Sequence, residues 1–145
     1  MKWDDVRKQY YLEIDDVTNN SEITETDMSE EYGDGDKLRR SIRQASYFVY
    51  QYMDAQYRGS QHEHHALALR RMIYKNERKQ TALLDAVIEY IRADVTTSMG
   101  LNRYVNDKPY VPDSVEHILR AGGLIVKGDF NVMWHTLEGD WNAQT

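Results

Sequence analysis

The sequence predicts a mainly α fold: a small helical bundle of about four helices with a short β-prone C-terminal arm. Three observations carry this. Apolar residues recur at intervals of three and four over 37–56, the stretch 61–97 holds no Gly or Pro, and a proline-led segment closes on Gly122-Gly123. With 145 residues the chain suits one domain over 1–145, with an acidic loop at 13–36, a helical core at 37–123 and an arm at 124–145.

Taken in order, residues 3–12 place Trp3, Val6 and Tyr10 near helical spacing, which predicts a short amphipathic helix with Asp4 and Asp5 at its positive end. Residues 13–36 lose periodicity and are rich in Asp, Glu, Gly, Asn and Ser, so a loop with at most a helical turn in its middle is expected. A loop of that length is unusual inside a compact domain and points to function or mobility. The next helix is the clearest. Asp36 can cap it, and Leu38, Ile42, Ala45, Val49 and Met53 form its stripe to about Gln56, before Gly59-Ser60.

In 61–97, Leu69, Met72 and Ile73 open an apolar stripe that Leu83, Leu84, Val87, Ile88, Ile91 and Val95 continue. The polar run Asn76-Glu77-Arg78-Lys79-Gln80 interrupts it, leaving either one long helix or two that break near Gln80-Thr81. After a turn-rich stretch from Met99 to Pro109, Pro112 sits where a first helical turn tolerates it. Val115, Ile118 and Leu119 follow, and Gly122-Gly123 stops the helix. Leu124-Ile125-Val126 and Phe130 to Trp134 then read as two extended pieces or a hairpin around Lys127-Gly128-Asp129.

Charge is divided unevenly. Residues 1–36 carry twelve acidic and three basic side chains, a net −9, whereas 37–145 carry fifteen basic and twelve acidic, a net +3. An acidic first quarter repels DNA phosphates and disfavours a duplex-wrapping role. The absence of cysteine excludes disulfides, thiol catalysis and thiolate metal sites, and fits a reducing compartment. No apolar run approaches the roughly 18 residues of a membrane span, and Met1-Lys2-Trp3-Asp4-Asp5 opens no secretion signal. Eleven tyrosines against two phenylalanines suit either interfaces or half-buried core edges.

Candidate chemistry is thin. In His62-Glu63-His64-His65, the first and last histidines share a helical face that can hold zinc, but the spacing is not that of the zinc-helix motif. His117 and His135 lie far off in sequence, and a polar surface helix start is the preferred reading. Asp34 and Asp36 lack the calcium-loop pattern, and Gly33-Asp34-Gly35 lacks the strand and Lys-Ser/Thr of a phosphate cradle. Ser41, Ser46, Ser60, Ser98 and Ser114 occupy no nucleophile elbow. Lys37, Arg39, Arg40 and Arg43 read as a solvated face that pairs with the preceding acids. No catalytic residue, cofactor or metal is expected, and the chain is expected not to be an enzyme.

Several segments together resemble the head–tail connector (adaptor, or head-completion) proteins of long-tailed bacteriophages. They are Trp3-Asp4-Asp5-Val6-Arg7; Lys37-Leu38 with Ser41-Ile42, Ala45-Ser46, Val49 and Tyr52; Leu83-Leu84-Asp85-Ala86-Val87-Ile88-Glu89-Tyr90; the turn Met99-Gly100; and Val111-Pro112-Asp113-Ser114-Val115-Glu116-His117-Ile118-Leu119-Arg120-Ala121-Gly122-Gly123-Leu124. The likeness covers roughly residues 3–126, its closing proline-to-Gly-Leu segment being the most characteristic part, and the polar His-rich stretch at 61–80 departs from it.

The resemblance implies a virion structural protein found at the head–tail interface after assembly in the host cytoplasm. Its copies would form a twelvefold ring under the portal, extend the channel for genomic DNA without binding it specifically, and receive a stopper or tail-terminator protein. Phe130, Val132, Met133, Trp134 and Trp141 are the expected partner interface, placed by strand addition on a neighbour. The competing expectations are a small acidic helical protein that modulates a host protein and, more weakly, a metal enzyme built on His62–His65.

Overall fold

The computed structural model describes residues 1–57, 65–96, 104–105 and 108–125. In chain order these form β1 (Lys2–Asp4), β2 (Gln9–Tyr11), α1 (Ile14–Asn20), α2 (Glu25–Tyr32), α3 (Asp36–Tyr57), α4 (His65–Ile73), α5 (Glu77–Thr96), β3 (Tyr104–Val105), β4 (Lys108–Pro109) and α6 (Asp113–Ala121). The mainly helical class expected from the sequence is the one observed.

Helix α3 is central: α5, α4, α2, α1, β2 and β4 all pack against it, and α6 lies along α5. Its buried stripe is the expected one, with Leu38, Ile42, Ala45, Val49 and Met53 all sealed from solvent. Burying each larger aliphatic contributes about 1.5–3 kcal/mol. From α5, Leu83, Ala86, Val87, Tyr90 and Ile91 complete the same core with Val115 and Leu119 of α6.

The helix expected over 3–12 is instead an antiparallel hairpin, with Trp3 paired to Tyr10 and Lys2 to Tyr11. Its turn is local and polar, and Tyr47 and Ser46 of α3 hold its two ends. The Asp4 carboxylate accepts the amides of Val6 and Arg7, both at 3.0 Å, which folds the chain back on itself, and Lys8 takes the left-handed φ of 56°. Trp3 and Tyr10 then meet edge to face at 4.9 Å, whereas Val6, read as part of an apolar face, is 93% exposed at the turn.

Residues 13–36, expected as a loop, contain two helices. Each opens on a capping box: Glu13 with Asp16 for α1, and Thr24 with Asp27 for α2. Val17, Ile23 and Met28 anchor them in the core. Gly33, at φ 93°, ends α2, and Gly35, at φ 59°, turns directly into α3. Asp36 is therefore the first residue of α3, not its cap.

Within 61–97 the described residues, 65–96, form two helices that part four to five residues earlier than Gln80-Thr81. Lys75 takes the left-handed φ of 57° after α4, and the Asn76 carboxamide oxygen caps α5 by accepting the Lys79 amide at 3.0 Å. The Gln80 side chain reaches back to the Ile73 carbonyl at 3.3 Å, closing the elbow.

Helix α6 starts after Pro112 and ends as expected. Gly123, at φ 75°, donates to the Arg120 carbonyl and Leu124 to that of Leu119, a Schellman closure. Leu124 and Ile125, assigned by sequence to an extended arm, instead turn inward and are buried in the core.

Candidate functional site

An open groove of about 600 Å³ lies where the hairpin meets the α4–α5 elbow. It is lined by Trp3 and Tyr10 of the hairpin, Arg70 of α4, Tyr74 just after it, and Glu77, Gln80, Thr81 and Leu84 of α5. The Arg70 guanidinium stands 4.6 Å from the centre of the Trp3 ring and 5.8 Å from that of Tyr74. Each such contact contributes about 0.5–2 kcal/mol and presents the cation in a fixed place. Burial raises the pKa of Tyr10, partly offset by the adjacent Arg70 charge. Beneath it lies the fully buried Tyr50, whose hydroxyl has no hydrogen-bond partner among the described residues and whose pKa burial also raises.

Lys75 lies 5.4 Å from the ring of Tyr74, an aromatic that is 55% exposed. With Arg71, Arg78 and Lys79 the elbow is a basic projection. Cations, aromatic faces and one carboxylate suit contact with another macromolecule through side-chain recognition.

The far end of α5 has the opposite character. Arg92 holds both carboxylate oxygens of Glu22, at 2.7 and 3.0 Å, and also bonds Glu89. The Tyr32 hydroxyl donates to the buried Asp94 carboxylate at 2.8 Å. These contacts fasten the acidic α1–α2 segment to α5.

Of the residues singled out from sequence, His62, Glu63 and His64 lie outside the described residues, as do Ser60, Ser98 and His135. The expected interface of Phe130, Val132, Met133, Trp134 and Trp141 lies outside them too. His65 is the first residue of α4, and His117 is exposed on α6. Among the described residues no group of three His, Asp or Glu side chains converges as metal ligands. The Gly33-Asp34-Gly35 run serves as the α2–α3 link. Internal pairing accounts for Arg39, bonded to Asp36 at 2.8 Å, and for Arg43, which reaches Glu13 at 3.5 Å and lies 4.7 Å from the centre of the Tyr11 ring. Among the tyrosines, Tyr10, Tyr47, Tyr50 and Tyr90 are buried, whereas Tyr74 and Tyr110 are exposed.

The Trp3–Tyr10–Arg70–Tyr74 cluster was not foreseen. Its one sequence signal is Asn76, a capping residue placed to start α5 and so to expose Tyr74 and Lys75 at a bend. No helix of the described residues is long and apolar enough to cross a membrane. No protein-family model, curated protein or solved structure matches the chain.

Proposed function

We propose that the chain is a head–tail connector of a long-tailed bacteriophage, a virion structural protein that docks under the portal and receives the stopper or tail-terminator protein. The observation that supports this reading is the packing of three of the five resembling segments on one another; residues 3–7 lie in the hairpin, and Met99-Gly100 lies outside the described residues. Residues 37–52 lie in α3, 83–90 in α5, and 111–124 in α6 with its closing Gly-Leu turn; α3 packs on α5 and α5 on α6. The remaining elements dress this three-helix unit.

Charge agrees with passage of DNA without capture. The net charge of the chain is −6, and a ring of like-charged chains lets phosphates slide by. In this reading residues 130–141 supply the arm that adds to a neighbour.

The test is the native mass of the full chain, alone and mixed with the portal protein of the same genome. A closed ring or co-migration with portal is the expected result. A monomer indifferent to portal overturns the reading in favour of a regulator of a host protein. Deleting residues 130–145 is expected to abolish assembly while leaving the helical circular dichroism nearly unchanged; normal assembly of the truncated chain removes the arm from the proposal.

A further inference from the structure

Helix α5 links two surfaces of opposite sign. At its first turn, Arg78 and Lys79 join Arg71 and Lys75 of the elbow, and Arg71, Lys75 and Arg78 are exposed. Near its end, Arg92 and Asp94 hold Glu22 and Tyr32, which brackets α2 at that pole. Along α2 and the turn after it, Glu25, Asp27, Glu30, Glu31 and Asp34 are exposed. Among the described residues no ion pair engages any of these five acids, nor Arg71, Lys75 or Lys79.

From Arg78 to Asp94 the helix advances about 24 Å at 1.5 Å per residue. That exceeds the Debye length of about 8 Å at physiological salt, so the two poles scarcely feel each other within one chain. They are complementary only between copies.

We propose that the basic α4–α5 elbow of one copy receives the acidic α2 face of a second copy, so that the chain self-associates head to tail. Such a contact joins unlike surfaces, closes into a ring where its rotation permits, and otherwise runs on as a filament. The proposal deepens the connector reading and rests on it for the ring as product. The elbow is rigid enough for the role, since Asn76 and Gln80 fix its turn and Arg78 donates to the Ala121 carbonyl of α6 at 3.1 Å. Nucleic acid is the other class of polyanion that a basic elbow beside Tyr74 and Trp3 attracts. The second copy is favoured because the same chain carries the matching acidic face at the opposite pole.

Charge exchange tests this on the full chain. Glu30→Lys with Glu31→Lys reverses the acidic pole at the C-terminal half of α2, where helix polarity tolerates cations; Arg71→Glu with Lys79→Glu reverses the elbow. Sedimentation velocity at low salt, with helical content checked by circular dichroism, reads self-association. The wild type is expected to associate and to dissociate as salt rises. Each reversed pair should weaken association by at least about tenfold. A chain carrying both reversed pairs should associate again, as should a mixture of the two single-pole variants.

Association indifferent to the reversals, a wild type that stays monomeric at low salt, or failure of the doubly reversed chain to recover overturns the proposal. So does an elbow reversal that abolishes duplex binding and leaves self-association intact. Portal co-migration of the same proteins separates the two readings. Portal binding with charge-insensitive assembly leaves the connector and removes the head-to-tail contact. Charge-dependent assembly without portal binding does the reverse.

Discussion

The backbone amide of Leu12 donates to the Ser46 hydroxyl at 2.9 Å, and that hydroxyl donates in turn to the Ile42 carbonyl at 3.0 Å. One buried serine thus fastens the exit of the N-terminal hairpin to the middle of α3, 34 residues away. The bond satisfies an amide that has left the hairpin ladder and has not yet entered α1.

Replacing Ser46 with Ala strands that amide in the core. The expected cost is about 1–3 kcal/mol, the penalty of an unsatisfied buried donor. Urea unfolding of wild type and Ser46→Ala measures it, and equal midpoints and slopes would show that the amide finds another partner.

Gly122, the residue that ends α6, lies directly against Ala82 of α5. A Cβ at this position would stand 2.2 Å from that of Ala82, a rigid neighbour. Gly122→Ala should therefore push the helices apart and cost about 1–3 kcal/mol. Gly122→Ala combined with Ala82→Gly should recover most of that loss, since the second change removes the obstructing methyl. Non-recovery in a thermal melt would place the strain elsewhere.

Acid should loosen the α2 attachment. The Arg92 hydrogen bonds hold Glu22 at a pKa of about 2, below its ordinary 4.5. A carboxylate with a depressed folded value adds stability that is fully present above its unfolded pKa and is lost as pH falls towards the folded one. The stability difference between wild type and Glu22→Gln should accordingly shrink as pH drops from about 4.5 to about 2. A difference that does not vary across that window rules the pair out as a contributor.

Alkali should act through buried phenols. Burial and the hydrogen bond to Asp4, at 2.7 Å, push Tyr47 up to about 12, and burial with Glu116 does the same for Tyr52. A raised folded value means that stability is whole below the unfolded pKa, about 10, and falls as pH climbs towards 12. Phenolate absorbance and circular dichroism recorded together should show these tyrosines ionising as the helices melt. Tyr47→Phe should flatten part of the decline.

Legibility from sequence varied along the chain for identifiable reasons. The α3 stripe from Leu38 to Met53 was plain because five apolar residues repeat on one face, and the Pro112 to Gly123 segment because its start and stop are single residues. The helices α1 and α2 were missed although Glu13-Asp16 and Thr24-Asp27 carry their caps; few apolar residues mark them, and Val17 and Met28 only gain meaning once buried against α3. The groove was invisible because Trp3 and Arg70 lie far apart in the chain.

By itself the sequence determined the helical class, the long amphipathic α3, the closing turn of α6 and the acidic-to-basic division of charge. All of these rest on local periodicity, single-residue backbone preference or composition. Only the tertiary structure decided that residues 2–11 form a hairpin and that acids and bases stand at opposite poles of α5. Those outcomes depend on partners distant in sequence, Ser46 and Tyr47 for the hairpin and Arg92 and Asp94 for α2, whose contacts offset the chain entropy lost in bringing them together.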